Sequence, residues 1–201
     1  MDTEIVENKD FIRSGVIPYF TLEMKRYYFM FIDRKYGGLI DGGGHIEVGE
    51  NFISCAVREL SEESLNIFNY SYEDLRTKSL CYYDKNTIVL FPEVEINSLK
   101  EALSYCVQFR ESYLDCERKG NCKKESIENS YLIYISEGEL LSVLHGDDVE
   151  MNNELVELFA KNPTVPTKNS KLALEFRQGL LYYPSPYHVI SNLIENFILS
   201  L

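Results

Sequence analysis

The stretch GGGHIEVGENFISCAVRELSEES, residues 42 to 64, constrains this chain more than any other. Three consecutive glycines offer no side chain to bury, so they anchor no core by themselves. The approach to them, RKYGGLIDGGG, predicts a glycine-punctuated loop. From Asn51 the pattern changes. Ile53, Ala56, Val57 and Leu60 recur at helical spacing, which predicts a helix from about Glu50 or Asn51 to about Asn66 with one face buried. Whatever the chain folds into must supply an apolar surface for that face.

The flanking runs supply it. GVIPYFTL and RYYFMFID are rich in β-branched and aromatic residues and are separated by the polar EMK, the pattern of two strands and a turn. The second run is apolar on both faces, which predicts a central strand. SLCYYDKNTIVLFPEVEI reads as a hairpin turned at Asp84-Lys85-Asn86, and SYLIYIS as a further strand. Residues 98 to 120, EGELLSVLHG and NNELVELFAKNP have helical character, while KLALEFRQGLLYY is ambiguous and strand-like at its end. In the closing SPYHVISNLIENFILSL, Ser185 suits an N-cap and Pro186 the first helical position. Ile190, Leu193, Ile194, Phe197, Ile198 and Leu201 then form an apolar stripe. Strands and helices mix without regular β-α-β alternation. That predicts an α/β fold with a mixed sheet between helices, not a doubly wound parallel sheet. At 201 residues the chain fits a single domain, with a core over about 12–145 and a C-terminal extension over about 146–201.

The helix carries a second message. Glu59, Glu62 and Glu63 stand at i, i+3 and i+4 on one face, where like charges cost a few tenths of a kcal/mol per pair. Arg58, four residues before Glu62, is the one local compensation in the sequence. A solvated helix face is the ordinary account of such glutamates. A hard divalent cation, Mg²⁺ or Mn²⁺, is the other, since it prefers carboxylate and carbonyl oxygens and relieves the repulsion. Glycines just before the helix let backbone approach such an ion, or phosphate oxygens, without a side chain intervening.

Gly44, then five residues, Glu50, then seven residues, Arg58-Glu59-Leu60, one residue and Glu62-Glu63 resemble the box of the Nudix hydrolase superfamily, G-x5-E-x7-R-E-U-x-E-E-x-G-U. Seven of the nine specified positions match without a gap. The departures come at the end, with Leu65 in the glycine position and Asn66 in the apolar one. Asn tolerates the left-handed conformation, so Asn66 is expected to close the helix one place later, with Ile67 taking the apolar role. The resemblance implies a Nudix-type α/β/α sandwich and a pyrophosphohydrolase of the EC 3.6.1 type. Such an enzyme cleaves a phosphoanhydride in a nucleoside diphosphate-linked compound: an NTP, a dinucleoside polyphosphate or a nucleotide sugar. It implies Mg²⁺ or Mn²⁺ held by Glu59, Glu62 and Glu63 with the Gly44 carbonyl, Arg58 holding a glutamate, and Glu50 bracing loop and helix. Glu128, just before SYLIYIS, is the candidate for a base outside the box.

The remaining expectations concern partners and setting. Net charge is −12, which opposes broad contact with nucleic acid. A basic segment with Arg118, Lys119, Lys123 and Lys124 keeps open a second possibility, an mRNA-decapping Nudix enzyme with an RNA track. A third is a catalytically silent Nudix module that binds a ligand or protein, against which the intact carboxylates count. Of the Tyr-Tyr doublets at 27–28, 82–83 and 182–183, which could stack on a base, most are expected to pack as strand residues. Five cysteines, odd in number and without a CxxC pair, suggest reduced structural thiols, not a disulfide or zinc framework. The acidic, apolar-poor N-terminus and the absence of a long apolar run predict a cytoplasmic protein with no membrane partner.

Overall fold

The computed structural model describes residues 10–34, 37–119, 128–147, 149–160, 173–174 and 186–200. The fold is α/β with mixed strand pairing, as expected, and its contacts divide it into two compact units.

The first unit takes in residues 1–20, 41–94 and 178–201. Its sheet consists of β1 (Arg13–Val16), β5 (Gly42–His45), β6 (Ser79–Tyr83) and β7 (Thr87–Pro92), in the order β5-β1-β7-β6. β1 runs parallel to β7 and antiparallel to β5, and β6 and β7 form the expected hairpin, closed by the Asp84 amide on the Thr87 carbonyl at 2.9 Å. Helix α1 (Phe52–Glu63) lies against β1 and β5, burying Phe52, Ile53, Cys55, Ala56 and Leu60. Helix α2 (Tyr72–Lys78) was not foreseen, although Ser71 and Asp74 form a complete capping box at its start. Helix α6 (Pro186–Ser200) contacts β6 and β7, with Ile190, Leu193, Ile194, Phe197 and Ile198 buried. Phe197 stacks on Phe91 at 4.0 Å and meets Tyr82 edge-on, so the 82–83 doublet packs as predicted for strand residues. The stripe's last member, Leu201, lies outside the described residues.

The second unit takes in residues 21–40 and 95–177 and begins inside β2 (Tyr19–Leu22). Here β3 (Lys25–Asp33) pairs antiparallel with both β4 (Leu39–Ile40) and β8 (Asn129–Ser136), the central role its two apolar faces predicted. Helix α3 (Leu99–Lys119) lies on β8, and α4 (Glu137–Leu144) contacts β3 and β8. Helix α5 (Asn153–Ala160) follows, and the short β9 (Val149–Glu150) pairs with β10 (Ala173–Leu174).

Three expectations need correction. The glycine run is not a loop: Gly42, Gly43 and Gly44 are residues of β5, in register with Val16, Gly15 and Ser14 of β1. The glycines are needed for contact distance, not for a turn. A Cβ on Gly43 would overlap the Gly15 Cα and come within 2.5 Å of the Ser14 carbonyl oxygen. The second correction is at the helix end. The Leu65 amide reaches the Glu62 carbonyl and the Asn66 amide the Ser61 carbonyl, the paired bonds of a Schellman closure. Leu65 therefore occupies the left-handed glycine position itself, at φ 54°, Asn66 follows at φ 61°, and Phe68, not Ile67, is the buried apolar residue. The third concerns thiols. Cys55, Cys81 and Cys106 are buried thiols outside any disulfide, but Cys116, on the half-exposed last turns of α3, is disulfide-bonded.

Candidate functional site

Helix α1 starts where its sequence says it should. Asn51 accepts the Ser54 amide on its side-chain oxygen at 2.9 Å, which satisfies one of the unpaired amides of the first turn. Just upstream, the Glu47 amide donates to Glu50 Oε2 at 3.1 Å, so Glu50 closes the loop between β5 and α1 as the box resemblance implied.

Arg58 is the electrostatic centre. Its Nε and Nη2 donate to the two Glu50 oxygens at 2.8 and 2.9 Å, and its Nη1 donates to Glu59 Oε1 at 2.7 Å. Nη2 also reaches the His45 carbonyl at 3.2 Å, and Glu62 Oε2 lies 3.7 Å from Nη1. One guanidinium thus offsets three carboxylates, which lowers the repulsion among them. The bond from Arg58 is the largest influence on Glu50 and holds its carboxyl below the ordinary range. In return the carboxylates, Glu50 first, push the Arg58 guanidinium further up.

The glycines of β5 bring two carboxylates onto the strand. The Gly43 amide donates to Glu63 Oε2 at 3.2 Å. The Glu59 carboxylate lies against the Gly44 Cα so tightly that a Cβ there would overlap Oε1 and stand 2.7 Å from Oε2. Glu62 differs: its side chain is 62% exposed and reaches toward Arg58. Among the described residues, no three His, Cys, Asp or Glu side chains converge as a ready-made metal-binding group. Gly44, Glu59 and Glu63 share the strand surface, and Glu62 stands outside it.

Beneath the strand are residues that the sequence did not single out. Arg13 donates to both Asp41 oxygens, at 2.9 and 2.7 Å, and through Nη2 to the Gly43 carbonyl at 3.1 Å. Both side chains are buried, Asp41 completely. The only hint was a charged residue entering an apolar strand run, a pattern that more often marks a strand edge. Cys55 places its thiol 3.5 Å from the His45 carbonyl oxygen and 3.7 Å from that of Gly44. Burial, reinforced by the Glu59 charge, pushes this thiol up to about 12.

Glu128 belongs to the second unit, exposed at the start of β8, with its backbone carbonyl accepting the Arg34 amide at 2.7 Å. Of the basic segment, Arg118 and Lys119 end α3, where Lys119 pairs with Asp115 at 2.6 Å, while Lys123 and Lys124 lie outside the described residues. Among the described residues no helix is long and apolar enough to cross a membrane.

No family model matches the chain, and no curated protein does. Solved structures that it resembles include Nudix proteins. A MutT/nudix family protein from Enterococcus faecalis matches at 14% identity and TM-score 0.33, over 45% of this chain and 39% of its own length. A C. elegans Ap4A hydrolase matches at 21% identity and TM-score 0.30, over 45% of this chain and 71% of its own. A NUDIX hydrolase from Nitrosomonas europaea matches at 11% identity and TM-score 0.33, over 87% and 97%. The first alignment thus spans about two fifths of the Enterococcus protein. At such TM-scores the likeness assigns neither activity nor ligand to this chain.

Proposed function

We propose that this chain is a Nudix-type hydrolase that cleaves a phosphoanhydride bond in a nucleoside diphosphate-linked compound with the help of Mg²⁺ or Mn²⁺. The observation that carries this reading is the placement of Glu59 against the bare Gly44 Cα and of Glu63 on the Gly43 amide, with Arg58 gripping Glu50 and Glu59. A wet helix face needs no such approach to a strand.

The donor set fits a hard divalent ion. Glu59, Glu63, Glu62 and the Gly44 carbonyl are all oxygen donors, and the missing Cβ at Gly44 lets the Glu59 carboxylate lie directly against the strand that carries that carbonyl. When bound, such an ion neutralises non-bridging phosphate oxygens and acidifies a coordinated water. The chain's own part is orientation. Arg58 holds the Glu59 carboxylate against Gly44, Glu50 keeps Arg58 in place, and the Gly43 amide fixes Glu63. Glu128 is the candidate to take a proton from the attacking water. The substrate classes that fit are NTPs, dinucleoside polyphosphates and nucleotide sugars.

The test is a panel of these compounds and of capped RNA, incubated with Mg²⁺ or Mn²⁺. Release of phosphate or pyrophosphate that EDTA abolishes is the expected result. An inert protein across the whole panel would reject the enzyme assignment in favour of a ligand-binding module. Within an active panel, Glu128→Gln should lower kcat by at least tenfold with KM little changed. Full activity of that variant would remove Glu128 as base.

A further inference from the structure

We propose that Arg13 and Asp41 are positioning residues for the candidate metal site, acting through the backbone of Gly43 and Gly44. The inference rests on the function proposed above. It starts from an expensive feature: an ion pair with Asp41 wholly buried and Arg13 nearly so. Burying two charges gains little stability over an apolar pair of similar volume, so stability alone does not account for it.

The geometry supplies another account. Arg13 uses two nitrogens on Asp41, and one of these also reaches the Gly43 carbonyl at 3.1 Å. Asp41, immediately before β5, fixes the guanidinium so that this donor meets the Gly43 carbonyl. The Gly43 carbonyl belongs to the peptide linking Gly43 to Gly44, so holding it sets the plane of that peptide. The Gly43 amide, one peptide earlier, donates to Glu63 Oε2, and the Gly44 Cα bears the Glu59 carboxylate. The chain Asp41, Arg13, Gly43 thus ends at both carboxylates of the strand surface.

Gly15 completes the device. It stands opposite Gly43 in the β1–β5 register, and a Cβ on it would overlap Asp41 Oδ2 and lie 2.9 Å from Arg13 Nη1. Its missing side chain makes room for the pair. A lysine at position 13 would keep the charge but not the fork, and could not serve both Asp41 and Gly43 in this geometry.

The experiment measures binding of Mn²⁺ alone, by the loss of the free-ion resonance, to the parent, to the double variant Arg13→Met with Asp41→Leu, and to Arg13→Lys. The double variant is expected to melt within a few degrees of the parent yet bind Mn²⁺ at least tenfold more weakly. Arg13→Lys is expected to weaken Mn²⁺ at least threefold and to shift the Gly43 and Gly44 amide resonances without metal present. It decides the question if the double variant does not fold. A folded variant with parental Mn²⁺ affinity overturns the positioning role while leaving the proposed function standing. A parent that binds no Mn²⁺ overturns both.

Discussion

Gly43 and Gly44 are neighbours in one strand, yet an added methyl should do opposite things at the two positions. On Gly43 it meets backbone, the Gly15 Cα and, at 2.5 Å, the Ser14 carbonyl oxygen. Backbone cannot rotate aside, so taking the nearest approach, to the Gly15 Cα, out to ordinary contact at 3.4 Å requires β1 and β5 to part by about 1 Å. A ladder hydrogen bond near 2.9 Å stretched by that amount is no longer a bond. Loss of about two such bonds at ~1 kcal/mol each, with about 1 kcal/mol of overpacking, gives a cost of ~3 kcal/mol. For a chain of this size that lowers Tm by ~6–12 °C. On Gly44 the methyl meets the far end of the Glu59 side chain, which swings away cheaply. The loss is then an ion pair between groups 15% and 26% exposed, ~1 kcal/mol or less, and Tm falls by at most ~4 °C. Calorimetric melting of Gly43→Ala and Gly44→Ala reads the stability half, and Mn²⁺ titration reads the other. Gly44→Ala should lose metal affinity while keeping its fold. Equal melting temperatures for the two variants, or a larger drop for Gly44→Ala, would refute the close-approach argument.

Other outcomes follow from the same contacts. Glu62→Gln and Glu63→Gln should each lower metal-dependent kcat by orders of magnitude while leaving metal-free Tm unchanged or slightly higher, because a like charge is removed; steady-state rates with and without EDTA check this. Glu50 is held below its ordinary value of 4.5 by Arg58, so its contribution is complete above about that pH and is lost as pH falls through the lower folded value. Melting from pH 6 to 3 should therefore show a steeper loss in the parent than in Glu50→Gln. With its thiol pushed up to about 12, Cys55 is thiolate in only ~10⁻⁴ of molecules at pH 8, so iodoacetamide should spare it in the native protein and label it in urea, as peptide mass analysis would report.

What the sequence disclosed, and what it withheld, divides along one physical line. Local rules were legible: the start of α1 near Asn51, its buried face, the turn at Asp84 to Asn86 and the two-sided burial of β3 each depend on residues close in the chain. So was the acidic face of α1, since Glu59, Glu62 and Glu63 share a helix whose period is fixed. Close approach between distant segments was not legible. Three glycines in a row look like a flexible loop when flexibility is the only use considered for them. Their use as a bare strand face appears once β1 places Gly15 opposite Gly43 and α1 lays Glu59 over Gly44.

The same blind spot covers Arg13 and Asp41. They are 28 positions apart, and neither falls in a spacing that a local rule would flag. Leu65 shows the converse error. From sequence, the departure from the box predicts a helix end shifted to Asn66, because asparagine suits left-handed backbone. Instead the closure kept its place and Leu65 took the conformation, at a local cost of ~1 kcal/mol or more. The Schellman bonds to Ser61 and Glu62 and burial of Phe68 beyond the turn outweigh that cost. A helix that gave up this closure would displace the last turn, and with it Glu62 and Glu63. Tolerating an unfavourable residue at position 65 is the smaller loss if the carboxylates must stay where they are.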